Sequence, residues 1–351
     1  MKNKLKIFSA LHFLIRNSSK TLVWSCGFAL LIGISSCEEK PTSKNSDEKT
    51  PTEIKQKQKA PNFIGDSAYS YVAKQVSFGY RVPNTVAHVR CGDYLVASLK
   101  KFGCEVIEQD FQAKAFNGTM LKSRNIIGTI NPAATKRIIL AAHWDSRPFA
   151  EKDSLKKDTP IDGANDGASG VGVILEIMRT INTAATKPTV GIDVIFFDSE
   201  DYGHSEGMPG EGSSDTWCLG SQYWSKNKHK ANYAAYYGIL LDMVGAKGAA
   251  FAMEGTSMSF APDVMTNVWN TAAQEGYSQY FIYNKVNGIT DDHSYVNNIA
   301  KIPMIDIIEY NDEAQSYFGW YHHTQNDNME VIDKNTLKAV GQTVLQVLYN
   351  E

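Results

Sequence analysis

A chain of 351 residues, 43% hydrophobic and 11% aromatic, has enough apolar surface for a substantial core and can hold one large domain or two small ones. That composition belongs to a folded protein rather than a disordered one. The formal net charge is only -3, and no basic stripe with interleaved aromatic residues occurs, which argues against a nucleic-acid partner.

The chain opens with Lys2, Lys4, Lys6, Arg16 and Lys20, then an uncharged run from Thr21 to Ser36 whose apolar part, Leu22 to Ile34, is short for a bilayer span. This pattern predicts a signal peptide over residues 1–36. The run ends in Ile34-Ser35-Ser36-Cys37, which resembles the lipobox of bacterial lipoproteins. That resemblance implies an acylated Cys37 and a protein exported and anchored in the cell envelope through lipid. Residues 37–60 are rich in Glu, Lys, Thr, Ser and Pro and poor in large apolar groups, so a flexible stalk is expected before a domain spanning 61–351. Past Cys37 only Cys91, Cys104 and Cys218 remain, without CxxC spacing, which speaks against a disulfide framework or a thiolate metal site. A Cys91–Cys104 bridge stays open.

From Pro61 onward neither an internal repeat nor a second linker interrupts the sequence. Val86, Val89, Leu95, Leu99 and Phe102 recur at helical spacing and stop at Gly103, predicting a helix over 84–102. Short β-rich runs follow at 105–111, 125–130, 137–142, 193–197, 238–241 and 302–308, several of them continuously apolar, as strands covered on both faces are. Helical patterns separate them at 168–182, 263–275 and 336–349, the last with Asp333 or Asn335 as N-cap. Alternating strands and helices predict a three-layer α/β/α sandwich with a central mixed, mostly parallel sheet, mixed because the earliest strands read as a hairpin.

In such sheets ligands bind beyond the carboxyl ends of the strands. Three apolar runs feed directly into metal-binding residue types there. Ile138 to Ala142 leads into His143, Val194 to Phe197 into Asp198-Ser-Glu200-Asp201, and Ile239 to Leu241 into Asp242. Asp166 lies in the Gly-rich stretch Asp162 to Gly170 and His323 in Tyr321-His-His-Thr, completing five imidazole or carboxylate positions. Taken singly, an acidic residue after a strand is an ordinary cap or turn. Jointly, imidazoles and carboxylates without thiolates are the donors that catalytic Zn2+ uses while leaving a position open.

His143-Trp-Asp-Ser, Asp166-Gly-Ala-Ser-Gly, Phe197-Asp-Ser-Glu-Asp201, Leu241-Asp242 and His323-Thr, in this order, resemble the M28 family of zinc exopeptidases from about Phe78 to the C-terminus. The resemblance implies the α/β/α fold and one of two chemistries: di-zinc aminopeptidase or single-zinc glutaminyl-peptide cyclotransferase. Ile289-Thr-Asp-Asp-His293 resembles the Asp-Asp-His segment of the cyclotransferases and tips the reading toward conversion of N-terminal Gln to pyroglutamate. By that resemblance Asp166, Asp201 and His323 bind zinc, and Glu200 is the general acid/base. Asp242 and Asp291 support the transition state, while His293 and Phe318 flank the substrate. An aminopeptidase would add His143 and Asp242 around a second zinc, with Asp145 orienting a neighbour. This chain departs from the cyclotransferase pattern at Asp201, one methylene shorter than Glu, and at His322, where animal cyclases carry Trp. Trp217 or Trp320 is then expected to supply the aromatic lid, the former carried by the Gly- and Ser-rich segment 202–215.

Overall fold

The computed structural model describes residues 58–205, 208, 214–311 and 317–351. The expected signal peptide, the acylation site Cys37 and the stalk up to residue 57 lie outside the described residues. Gln58 to Ala60, assigned to the stalk from sequence, already engage the folded body: Gln346 Nε2 donates to the Gln58 carbonyl at 3.0 Å, and the Ala60 amide donates to Gln346 Oε1 at 2.9 Å.

The described chain begins with α1 (Gly65–Val76) and α2 (Val86–Lys101), then β1 (Glu105–Lys114), β2 (Met120–Ile130), β3 (Arg137–His143), α3 (Ala168–Thr183) and β4 (Gly191–Phe197). It continues through α4 (Leu219–Lys226), β5 (Tyr237–Asp242), β6 (Phe251–Met253), α5 (Gly255–Phe260), α6 (Pro262–Gln274) and β7 (Phe281–Lys285). Last come α7 (Asp292–Tyr295), β8 (Met304–Ile308) and α8 (Lys334–Asn350). The main sheet has six strands in the order β1-β2-β4-β3-β5-β8. β3, β4, β5 and β8 run parallel, whereas β1 and β2 form the expected antiparallel hairpin and β2 meets β4 antiparallel.

Period-two alternation divides the central strands between two cores. Ile138, Leu140, Ala142, Val194, Phe196, Ile239, Leu241, Ile305 and Ile307 face the layer containing α1, α2, α3, α6 and α8. Ile139, Ala141, Ile195, Phe197 and Leu240 face the other, where Trp224 of α4 and Val296 pack. Burial on both faces explains the unbroken apolar runs of β3, β4 and β5. Asp333 is the N-cap of α8, accepting from the Thr336 amide at 3.2 Å. Cys91 and Cys104, left open for a bridge, are both buried free thiols, and burial pushes each up to about 12.

Candidate active site

The parallel strands end on one rim, and the rim carries the polar residues. His143 is the last residue of β3, Asp198 to Asp201 follow β4, Asp242 ends β5, and the 317–323 segment follows β8. Two glycines after Asp166 are dictated by space: a Cβ on Gly167 would lie 2.4 Å from the His143 ring, and one on Gly170 2.0 Å from the Leu241 carbonyl oxygen. The loop is thereby pressed against β3 and β5. Asp327 fixes it further, its carboxylate accepting from the amides of Asn165 and Asp166 at 2.7 and 3.1 Å. Ser199, Cys218, Met243 and His323, all at this rim, hold positive φ of 57, 55, 46 and 57°. Non-glycine residues keep that conformation only where surrounding structure enforces it.

Asp166, Asp201 and His323 converge. His323 Nε2 lies 3.3 Å from Asp201 Oδ1 and 3.7 Å from Asp166 Oδ2, and all three residues are buried. Tetrahedral zinc with bonds of about 2.0–2.2 Å places its ligand atoms roughly 3.3–3.6 Å apart, and the two spacings from His323 Nε2 lie close to that range. Asp201 Oδ2, buried and without a hydrogen-bond partner, is a donor atom awaiting such a charge. His322 also approaches, with Nε2 3.7 Å from Asp166 Oδ2. The two imidazoles differ in what their other nitrogen meets. Lys152 Nζ donates to His322 Nδ1 at 2.6 Å, which leaves the proton on Nε2 and no lone pair there for a metal. His323 Nδ1 instead faces Glu151 Oε1 at 2.6 Å, which places its proton on Nδ1 and frees Nε2.

His143 sits between carboxylates, Nε2 at 2.9 Å from Asp166 Oδ1 and 3.2 Å from Asp242 Oδ1. Burial opposes its charge, but Asp145, Asp166 and Asp242 outweigh burial and raise its pKa well above the usual value. Asp145, expected to orient His143 or a neighbour, lies 3.5 Å from its Nδ1 and also accepts from the amides of Glu200 and Asp201 at 3.1 and 3.2 Å. Glu200 is pushed well above the ordinary carboxyl range, first by burial and then by the like charges of Asp201, Asp291 and Asp292. The Cys218 thiol donates to Glu200 Oε1 at 3.2 Å. Burial likewise raises Asp242 to about 7.

Asp166, Glu200, Asp201, Asp242 and His323 line a cavity of about 710 Å³, with Asp291, Phe318 and Trp217 among its walls. Asp291 is the N-cap of α7, so the residue is both a helix cap and a cavity carboxylate. Trp217 stacks on His323 with ring centroids 5.9 Å apart and planes 11° from parallel. Two placements correct the sequence reading. Trp320 does not line the cavity; it is 71% exposed, its ring turned to solvent while Trp217 and His322 occupy the wall. His293 does not face the substrate either: it is fully buried behind Asp291, Nε2 3.2 Å from Glu254 Oε1 and Nδ1 3.8 Å from Asp306 Oδ2. Sequence reasoning passed over Glu151, Lys152 and His204, which also line the cavity. Only their position soon after His143 or Asp201 could have marked them.

An α/β/α sandwich carrying buried imidazoles and carboxylates at the carboxyl ends of its strands is the build of a metal-dependent enzyme. The Peptidase family M28 pattern matches residues 125–348. A Zn-dependent exopeptidase from Parabacteroides distasonis is 53% identical in structure-based comparison, with a TM-score of 0.81, covering 83% of this chain and 100% of its own. A glutaminyl cyclase from Bacteroides thetaiotaomicron is 52% identical at TM-score 0.81, covering 83% of this chain and 99% of its own. A glutaminyl-peptide cyclotransferase from Gloydius blomhoffii is 27% identical over 272 residues, 71% of this chain and 70% of its own length. The chain belongs to peptidase family M28.

Proposed function

We propose that the protein is a zinc-dependent glutaminyl-peptide cyclotransferase, converting the N-terminal Gln of peptides or proteins to pyroglutamate with release of ammonia. The observation that carries this reading is the joint lining of one cavity by the metal-suited trio, Glu200, and the two carboxylates Asp242 and Asp291. Sequence likeness over nearly the full length of a bacterial glutaminyl cyclase supports it.

Zinc held by Asp166, Asp201 and His323 would polarise the γ-carboxamide of the bound Gln. The substrate's own α-amine attacks the carboxamide carbon, the new C–N bond closes the five-membered ring, and the old C–N bond breaks to give ammonia. Glu200 takes the proton from the amine and delivers it to the leaving nitrogen. Burial raises the proton affinity of the Glu200 carboxyl, a shift in the direction that fits a group which both takes and gives a proton. Asp242 and Asp291 hold the reacting groups by hydrogen bonds, and Phe318 and Trp217 flank the glutamine side chain. The amine attacks only when neutral, so the rate rises toward mildly alkaline pH, near the free α-amino pKa of about 7.7–8.0.

The second reading, a di-zinc aminopeptidase, draws on the gathering of His143, Asp166 and Asp242 into a potential second ligand group. His143 Nε2 lies 2.9 and 3.2 Å from these two carboxylates, and metal content separates the readings: about one zinc per chain for the cyclotransferase and two for the aminopeptidase. Incubating the protein with a Gln-initiated dipeptide and measuring ammonia tests the cyclotransferase reading; no ammonia would defeat it.

We also infer an exported protein held at a membrane surface by acyl chains on Cys37, a reading supported by the lipobox-like Ile34-Ser35-Ser36-Cys37 at the end of the apolar run. The full-length protein should partition into detergent, and Cys37→Ser should release it with activity intact. Wild-type protein found in the aqueous phase without lipid mass on Cys37 would contradict this.

A further inference from the structure

Arg147 is fully buried, four residues past the end of β3, and its guanidinium is engaged on every side. Nη1 donates to the Asp201 carbonyl at 2.8 Å and approaches Asp201 Oδ1 at 3.4 Å. Nε donates to Glu151 Oε2 at 2.7 Å, and the other oxygen of that carboxylate meets His323 Nδ1 at 2.6 Å. Nη2 donates to Ser205 Oγ at 2.8 Å and to the Gly203 carbonyl at 3.3 Å. The plane lies 4.5 Å from the centre of the Trp217 ring, which itself stacks on His323. Gly203 makes room for that ring, since a Cβ there would fall 2.0 Å from it.

One cation therefore touches the strand-end carboxylate Asp201 directly and reaches His323 through Glu151. It also ties down the 203–205 segment and the aromatic wall. A lysine supplies one point charge where these contacts need a planar fork with several fixed N–H directions. We propose that Arg147 is a positioning residue that orients two zinc ligands at once, Asp201 directly and His323 through Glu151, and couples them to the Trp217 wall of the substrate cavity. Outer partners of this kind set ligand orientation and basicity. The inference rests on the assignment of Asp201 and His323 as ligands in the proposed function. It adds a residue that neither zinc nor substrate touches.

The test is zinc affinity of the full chain, measured by competition with a chromogenic chelator, for wild type, Arg147→Lys and Glu151→Gln, alongside the melting temperature of the zinc-stripped proteins. Loss of an outer partner typically weakens a metal site about 10–100-fold, and both variants are expected in that range. At saturating zinc, Arg147→Lys should also raise KM for a Gln-initiated peptide more than it lowers kcat, because the wall is displaced. A purely structural arginine would lower the melting temperature of the stripped protein and leave zinc affinity unchanged. If Arg147→Lys does not fold, Glu151→Gln decides alone, since it keeps the side-chain shape and removes only the charge facing His323 and Arg147. Zinc affinity within threefold of wild type in the folded variants overturns the proposal while leaving the cyclotransferase reading intact. A wild-type chain that binds no zinc overturns both, and a chain that binds zinc with the expected losses yet forms no pyroglutamate overturns only the reaction assignment.

Discussion

Replacing Glu200 with Gln should reduce conversion of Gln-initiated peptides by roughly 10³–10⁴-fold, the upper part of the range for general acid/base catalysis. The upper part is expected because a single carboxyl group serves both proton transfers. The amide preserves the size of the side chain and can still accept from the Cys218 thiol, which lies 3.2 Å from Oε1 in the native protein. Asp201, next along the chain, keeps its amide bonded to Asp145. Zinc content should therefore stay at the wild-type level. Metal analysis beside the rate assay separates the two effects, and loss of zinc in Glu200→Gln would show that the residue holds the metal site rather than moving protons.

Asp166→Ala is expected to abolish zinc binding and turnover together. Asp166 contributes one of three ligands to the assigned ion, and its other oxygen lies 2.9 Å from His143 Nε2. Removing the carboxylate strips a negative charge from the cluster and leaves Asp242, at 3.2 Å, as the carboxylate facing His143 Nε2, with Asp145 still 3.5 Å from Nδ1. The fold should survive, because the loop carrying Asp166 is anchored by Asp327 through backbone amides and the surrounding sheet is held by two separate apolar cores. Wild type should carry about one zinc per chain and the variant almost none, with similar circular dichroism. Full zinc and full turnover in the variant would remove Asp166 from the ligand set.

Much of this architecture was legible from apolar periodicity. β3, β4 and β5 carry unbroken apolar runs at 138–142, 194–197 and 239–241 because both faces of the sheet are covered. α2, α3, α6 and α8 are long enough to show a helical repeat, α2 and α8 with side-chain N-caps at Thr85 and Asp333. The short elements were not legible. α4, α5 and α7 have eight, six and four residues, too few for a helical period to emerge, and β6 has three. α1 was missed at twelve residues, its buried positions Gly65, Ala68, Val72 and Gln75 including only one large apolar side chain.

The candidate site divides along the same physical line. Residues standing at strand ends, such as His143, Asp201 and Asp242, could be found because the preceding apolar run predicts where each side chain emerges. The roles of Glu151 and Arg147 come from tertiary contacts, and in sequence Arg147-Pro-Phe-Ala-Glu151 reads as ordinary loop charge. Which of two adjacent histidines suits the metal is likewise set by distant partners, Lys152 on His322 and Glu151 on His323. The aromatic wall was half legible: Trp217 reaches the cavity, while Trp320, nearer in sequence to His323, points to solvent.

The most direct measurement presents purified wild-type protein with a Gln-initiated peptide and, in parallel, a Leu-initiated peptide anilide. Ammonia and the cyclised peptide should form from the first, with little anilide released from the second. Asp291→Asn should slow the first reaction, because Asp291 lines the same cavity as Glu200 and, in the proposed mechanism, holds the reacting groups by hydrogen bonds. Cleavage of the anilide without cyclisation of Gln, undiminished in Asp291→Asn, would contradict the cyclotransferase account and assign the site to a di-zinc aminopeptidase.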